Sequence, residues 1–328
     1  MAGAHLAEGA IFGGILIIFF PEVLRRLNLP QDIGNIFFAL GATQALSMGG
    51  TMAEDLRKLL RKLFGKKLPV ASVNVGHTVG KITPPKPISG AKDVLSIKDL
   101  SVRYGNVVAL DNISLVVPEG SVIGLIGPNG AGQSTLIDAV TGFLASYEGG
   151  ITLGANSLDG LPAHKRAQAG IRRTWQTTRI APQLNVGNYL TLAAGRRMAD
   201  KEANEILNWL GCPGPDTVIS QIDAGTRRLL DVAGVVAARP KMILLDEPAA
   251  GLSHEESVQL AERIAQIPTR FGAAVLLVEH DMDLVRMVCN AVVVLDFGKV
   301  IAAGPTQKVL SDPHVVKAYI GDPEELVA

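Results

Sequence analysis

Cysteine, tryptophan and tyrosine are scarce in this 328-residue chain: two, two and four residues respectively. Cys212 and Cys289 have neither metal-ligand nor redox-motif spacing, which points to two reduced thiols inside a core. No excess of charge exists either, since 31 basic residues balance 31 acidic ones. A nucleic-acid binder needs a basic face, so this balance argues against such a partner. A secretory leader is not expected, because Met1 to Gly9 carries no basic segment and no cleavage site follows the first apolar run. Small and aliphatic residues dominate instead, with 48% of the chain hydrophobic. That is the composition of an α/β protein with buried parallel strands. The length allows one large domain or two modest ones.

The chain reads in segments. Residues 1–68 open with "AIFGGILIIFF" (Ala10 to Phe20), which is short for a membrane span. The charge-free stretch Ile33 to Ala53 is long enough to cross a bilayer at about 1.5 Å per residue. Its Gly, Thr, Gln and Ser content suits a face packed on other helices. In "EDLRKLLRKLFGKK", Leu56, Leu59, Leu60, Leu63 and Phe64 share helical spacing. Arg57, Lys58, Arg61, Lys62, Lys66 and Lys67 supply the other face. A basic amphipathic segment after an apolar one predicts that the chain beyond it is cytoplasmic. The alternative is a pair of buried helices from a soluble domain. Residues 69–93, with "TPPKPISGAK", read as a linker.

Residues 94–321 alternate between strand and helix patterns. Strand candidates are "VLSIKDLSV", "SVIGLIG", "KMILLDEP", "AAVLLVEH" and "AVVVLDFGKVIAAG". Helices are expected at "HEESVQLAERIAQI" and "MDLVRMVC". The pattern predicts a mostly parallel sheet covered on both faces, with "VVALDNISLVVPEG" adding an antiparallel portion. Residues 322–328 form a tail.

Chemistry concentrates at "GPNGAGQST", which follows a strand and opens a helix. Gly127, Gly130 and Gly132 allow the backbone of this loop, with Pro128, Asn129 and Ala131 between them, to wrap a phosphate chain. The helix beginning at Ser134 adds its positive end, and Ser134 is placed to bind Mg²⁺ ahead of Thr135. Position 133 of such a loop should be lysine and is Gln133. An amide donates hydrogen bonds but brings no charge, so weaker nucleotide binding and weaker hydrolysis are expected. Downstream, Asp246 and Glu247 end a strand. Their adjacency suits Asp246 to a Mg²⁺ shell and Glu247 to polarising an attacking water. His280 ends another strand, where the ligands of open α/β sheets gather and a histidine can contact a γ-phosphate.

Residues 94–321 resemble the ATPase subunit of an ABC transporter, with the motifs in the family's order. The resemblance implies a P-loop NTPase of ABC type, with a mostly parallel core, an antiparallel β subdomain and a helical subdomain, here preceded by membrane-type helices. It implies ATP and Mg²⁺ as cofactors. Tyr104 matches the aromatic that stacks on adenine. Gln176 matches the glutamine that links the γ-phosphate and Mg²⁺ to the membrane subunit, a catalytic and metal-binding position. "AAGLS" (Ala249 to Ser253) matches the loop that crosses to the opposite ATPase subunit. The signature that opens a helix against the partner's γ-phosphate aligns with "IDAGT". There Asp223 replaces serine, Thr226 replaces glutamine, and Ala224 and Gly225 lie between. Asp223 can cap that helix, while a carboxylate facing a phosphate is repulsive.

"GIRRTWQTTRIAPQLNV" and the ending "VLDFGKVIAAGPTQKVLSDPHVVKAYIG" are similar to ATPases of branched-chain amino acid importers. Residues 9–68 are similar to the end of the permease of that system. The resemblance implies a second ATPase subunit, identical or different, and membrane permease subunits as partners. It also implies a solute-binding protein acting indirectly, and a place on the cytoplasmic face of the inner or plasma membrane. A non-hydrolysing nucleotide-binding module that assembles with or regulates a transporter is the alternative reading.

Overall fold

The structure is a computed structural model and describes residue 26, residues 90–175 and 180–313, and residue 315. Expectations for the apolar and basic segments of 1–68, for most of the 69–93 linker, for Gln176 and for the 322–328 tail lie outside the described residues. Arg26 is helical and exposed. Chain contacts separate Met1–Val70 from Ala71–Ala328, and the strands and helices named below all belong to the second unit. Among the described residues, no helix is long and apolar enough to cross a membrane.

The strands in chain order begin with β1 (Asp93–Tyr104), β2 (Val107–Pro118) and β3 (Val122–Ile126). There follow β4 (Glu148–Leu153), β5 (Asn156–Ser157), β6 (Ile171–Arg173) and β7 (Met242–Asp246). The last are β8 (Ala274–Val278), β9 (Ala291–Asp296) and β10 (Lys299–Pro305). The helices are α1 (Gln133–Thr141), α2 (Ala163–Ala169), α3 (Val186–Ala194) and α4 (Asp200–Leu210). After them come α5 (Ala224–Ala237), α6 (His254–Phe271), α7 (Met282–Val288) and the short α8 (Thr306–Val309).

Two sheets result. One has the order β2-β1-β4-β5, antiparallel throughout, and the other has the order β10-β9-β3-β8-β7-β6. In the second, every pairing is parallel except that of β10 with β9.

Strands β3, β7 and β8 are buried at every residue. The reason is that successive side chains leave opposite faces of a strand. Ile243, Leu245, Val275 and Leu277 enter a core shared with α3 to α7. Met242, Leu244, Leu276 and Val278 enter a second core with α1 and the inner faces of β1 and β2. Two cores on one sheet demand apolar residues at every position, hence the unbroken runs in the sequence. Fully burying each such aliphatic side chain contributes about 1.5–3 kcal/mol. Both cysteines are buried thiols without a disulfide.

The sequence segment "AVVVLDFGKVIAAG" is not one strand but two. Phe297 and Gly298 have φ of +42° and +75° and turn the chain back on itself. Successive positive φ values give a two-residue turn whose twist matches that of a hairpin. Strand β6 escapes the hydrophobic pattern altogether, being three residues long with two arginines.

Candidate functional site

Strands β3, β8 and β7 are neighbours and run in parallel, so their carboxyl ends lie side by side. The phosphate-type loop follows the first, His280 the second, and Glu247 the third, where Asp246 is the final residue. This is how residues far apart in the chain converge.

The loop's shape requires its glycines at two points. A Cβ on Gly127 would lie 2.4 Å from the Leu295 carbonyl oxygen. Gly132 has φ +109°, and a Cβ there would lie 2.7 Å from Leu110 and 2.9 Å from the Ala109 carbonyl oxygen. Within the loop, the Ala131 amide donates to the Pro128 carbonyl at 3.0 Å, and Asn129 and Gly130 are exposed. The Ala131 carbonyl accepts from Gly298 N–H at 3.0 Å, and the Gly298 carbonyl accepts from Asp111 N–H at 2.8 Å. The hairpin turn thus fastens the loop to the antiparallel sheet.

Gln133 begins α1, one residue before the expected start. Its side chain is buried and donates from Nε2 to the Gly127 carbonyl at 2.9 Å. The amide therefore closes the loop on itself. Ser134 is exposed at the helix start, and Thr135 is half-buried. A cavity of about 330 Å³ opens here, bordered by Val107, Val108, Gly130, Gln133, Ser134, Thr135 and Phe297. Tyr104 is exposed and pairs with Val107 in the β1–β2 ladder, and Val107 itself borders this space. The first amides of a helix have no carbonyl a turn earlier, so an anion meets ready donors at such a loop.

At the end of β7, Asp246 is buried and its amide donates to Thr174 Oγ1 at 3.1 Å. Burial raises the carboxyl pKa, and the neighbouring Arg173 opposes that rise. Arg173 Nη2 donates to Asp246 Oδ2 at 3.1 Å, while Nη1 lies 2.5 Å from Asp138 Oδ1. Asp138 is one turn along α1 from Ser134 and on the same face. Arg173 therefore ties Asp246 to the helix that the loop opens.

Glu247 has φ +45°, a left-handed conformation that a non-glycine residue adopts only when its surroundings impose it. Its amide donates to the Val278 carbonyl at 3.0 Å, and its own carbonyl accepts from the Ala250 amide at 3.1 Å. So held, Oε1 lies 3.3 Å from His280 Nε2. Glu279 braces both strand ends, accepting from the Ala249 amide at 2.9 Å and from the His280 amide at 3.2 Å. Burial pushes its pKa up.

Asp223 is the N-cap of α5. Oδ1 accepts from the Thr226 amide at 2.9 Å, and Oδ2 from the Thr226 hydroxyl at 2.7 Å. Burial works to raise its pKa, but the hydrogen bonds from Thr226 and Gly225 outweigh that and leave it lowered. Ala224 is the first residue of α5, and Gly225 lies against Glu256 of α6. From the same helix, Arg228 Nη1 donates to the Trp175 carbonyl at 2.9 Å.

Arg173, Thr174, Asp138 and Glu279 brace these strand ends from outside the binding and catalytic groups, and sequence reasoning missed all four. The only signal was "RRTW", two arginines and an aromatic next to the expected glutamine. The oxygen set of Ser134 and Asp246 suits a hard cation such as Mg²⁺. No group of three or more His, Cys, Asp and Glu side chains arranged for a metal occurs among the described residues. A cation here would take its other ligands from a phosphate chain and water.

Known proteins share sequence and fold with this chain. The family profile described as ABC transporter matches residues 110–250. A high-affinity branched-chain amino acid transport ATP-binding protein of Pseudomonas aeruginosa is 33% identical over 254 residues, spanning 71% of this chain and 99% of that protein. Its counterpart in Escherichia coli K12 is 30% identical over 253 residues, spanning 71% and 99%. Among solved structures, a nucleotide-free ATP-binding cassette of an ABC transporter aligns with TM-score 0.63 and 27% identity, covering 70% of this chain and all of that one. An ATP-binding cassette of an ABC transporter in its ADP conformation aligns with TM-score 0.63 and 27% identity, over 70% and 99%.

Proposed function

This chain belongs to the ABC transporter ATP-binding family, and we propose that it binds ATP with Mg²⁺ to power uptake of branched-chain or related amino acids. The observation that carries the proposal is the convergence of a glycine-shaped loop, Asp246, Glu247 and His280 at adjacent strand ends. The importer subclass rests on relatives that match over almost their whole length.

In this reading the loop from Gly127 to Thr135 holds the phosphates and Tyr104 receives the base. Ser134 and Asp246, with Gln176, would hold Mg²⁺ alongside the phosphate chain and water, and the metal when bound would neutralise phosphate charge. Glu247 orients and deprotonates the attacking water. His280, its Nε2 3.3 Å from Glu247 Oε1, orients Glu247 and contacts the γ-phosphate. The second ATPase subunit presents its 222–226 segment, and permease subunits receive the motion. Residues 1–68 are a permease-like membrane segment, 69–93 a linker and 94–321 the ATPase domain, so the chain works at the cytoplasmic face of the membrane.

A second reading has one specific observation in its favour. Gln133 spends its amide on the Gly127 carbonyl, so the loop has no side-chain cation at that position. A module that binds nucleotide and hydrolyses little would regulate rather than drive transport. The deciding experiment is Glu247→Gln with ATP turnover and ATP binding measured side by side. The driving role predicts measurable turnover that falls at least a hundredfold, with binding nearly unchanged. Wild-type protein that binds ATP with no turnover above background would instead establish the second reading.

A further inference from the structure

Arg173 lies where the proposed chemistry has no use for it. Its side chain is 8% exposed and its guanidinium donates to Asp246 Oδ2 at 3.1 Å, an oxygen of the carboxylate assigned to Mg²⁺. The same guanidinium holds Asp138 at 2.5 Å and lies 4.2 Å from the centre of the Trp175 ring. The Trp175 ring in turn packs edge-on against Phe143 at 4.9 Å.

We propose that Arg173 is a resident counter-cation at the metal-facing carboxylate, exchanged for Mg²⁺ as the nucleotide binds, and that the exchange shifts Trp175. The inference rests on the nucleotide-binding reading above. Two cations cannot share one carboxylate without repulsion, and low exposure leaves that repulsion poorly screened. When Mg²⁺ engages Asp246, the guanidinium gives up Oδ2 and keeps Asp138, its closer partner. Stacking couples the guanidinium to the indole, so the ring follows. The Trp175 carbonyl accepts from Arg228 of α5 at 2.9 Å, so a shift there reaches the helix that Asp223 caps. Arg173 is thus a positioning residue: it keeps the empty carboxylate neutralised and converts metal arrival into movement of one aromatic ring.

The test uses the full chain carrying Trp209→Phe, which leaves Trp175 as the sole tryptophan. Calorimetry follows ATP binding, while Trp175 emission follows the exchange, with Mg²⁺ titrated into ATP-saturated protein. The expected result is an emission change that requires Mg²⁺. In Arg173→Met that change is lost, ATP still binds, and the Mg²⁺ midpoint measured by calorimetry falls about threefold or more. Asp138→Asn supplies the opposite sign on a half-exposed residue. With Asp246 as its remaining carboxylate, Arg173 is harder to displace and the Mg²⁺ midpoint rises. Emission that responds equally to ATP with and without Mg²⁺, or midpoints unmoved in both variants, overturns the exchange while leaving nucleotide binding in place. Absence of any ATP binding by calorimetry overturns the underlying reading and the exchange with it.

Discussion

Gln133 Nε2 donates to the carbonyl oxygen of Gly127 across 2.9 Å, joining the helix end of the phosphate loop to its strand end. A lysine at 133 has a longer stem and a charge that cannot rest in so enclosed a place. It would leave the Gly127 carbonyl and extend toward the cavity. Gln133→Lys is therefore expected to tighten ATP binding about tenfold or more, the worth of one charge-assisted hydrogen bond. Titration calorimetry checks this, and an unchanged Kd would show that the loop does not depend on that charge.

Asp223 separates two roles that coincide in one side chain. Asp223→Ala removes the cap and is expected to cost about 1 kcal/mol of stability. Asp223→Ser retains a capping oxygen and removes the carboxylate. It should melt like the parent and show a larger ATP-dependent dimer fraction by light scattering, because repulsion with the partner's phosphate is gone. A serine variant that dimerises no better than the parent would place the carboxylate away from the nucleotide.

Asp231 governs a pH effect on stability. It lies buried on α5, its Oδ2 has no hydrogen-bond partner among the described residues, and burial raises its pKa to about 6. The folded value is above the ordinary 3.8, so the contribution to stability is full below the unfolded pKa. It is lost as pH rises through about 6, where the buried carboxyl must ionise. Asp231→Asn avoids that ionisation. It is expected to gain about 1–3 kcal/mol at pH 8 and to flatten the decline in melting temperature between about pH 4 and about pH 6. A decline of the same slope in the variant would assign it to other groups.

Residues 1–68 carry the membrane part of the proposal. Six basic residues between Arg57 and Lys67 each add about 1 kcal/mol of attraction to an anionic surface. The full chain is expected to sediment with membranes, and a chain beginning at Gly90 to remain in the supernatant. Full-length protein that stays monomeric in solution without detergent would remove the permease-like reading.

How much of this was legible from residues alone depended on how local the cause was. Strands β7 and β8 announce themselves because each residue faces a core, and the loop glycines because no other residue adopts those turns so readily. The cap made by Asp223 follows from its place three residues before Thr226. Strand β6 leaves no such trace, since its position at the sheet edge comes from pairing with β7. Arg173 could not be matched to Asp246 before that pairing was known, as the two meet only across the sheet. The inward turn of Gln133 was missed for a related reason. Its partner is the loop's own backbone, and the length and hydrogen-bonding capacity of an amide suit either direction.

Gly298 joins the Ala131 carbonyl to the Asp111 amide, and so ties two early parts of the ATPase domain to its end. On a ribosome this residue emerges late, long after the loop and the first two strands. Until then, one flank of the loop has no wall, and its glycines remain at liberty to sample other shapes. The nucleotide pocket is accordingly among the last parts of the domain to be completed during synthesis. A nascent chain cannot hold ATP in its mature geometry before the β9–β10 hairpin has closed.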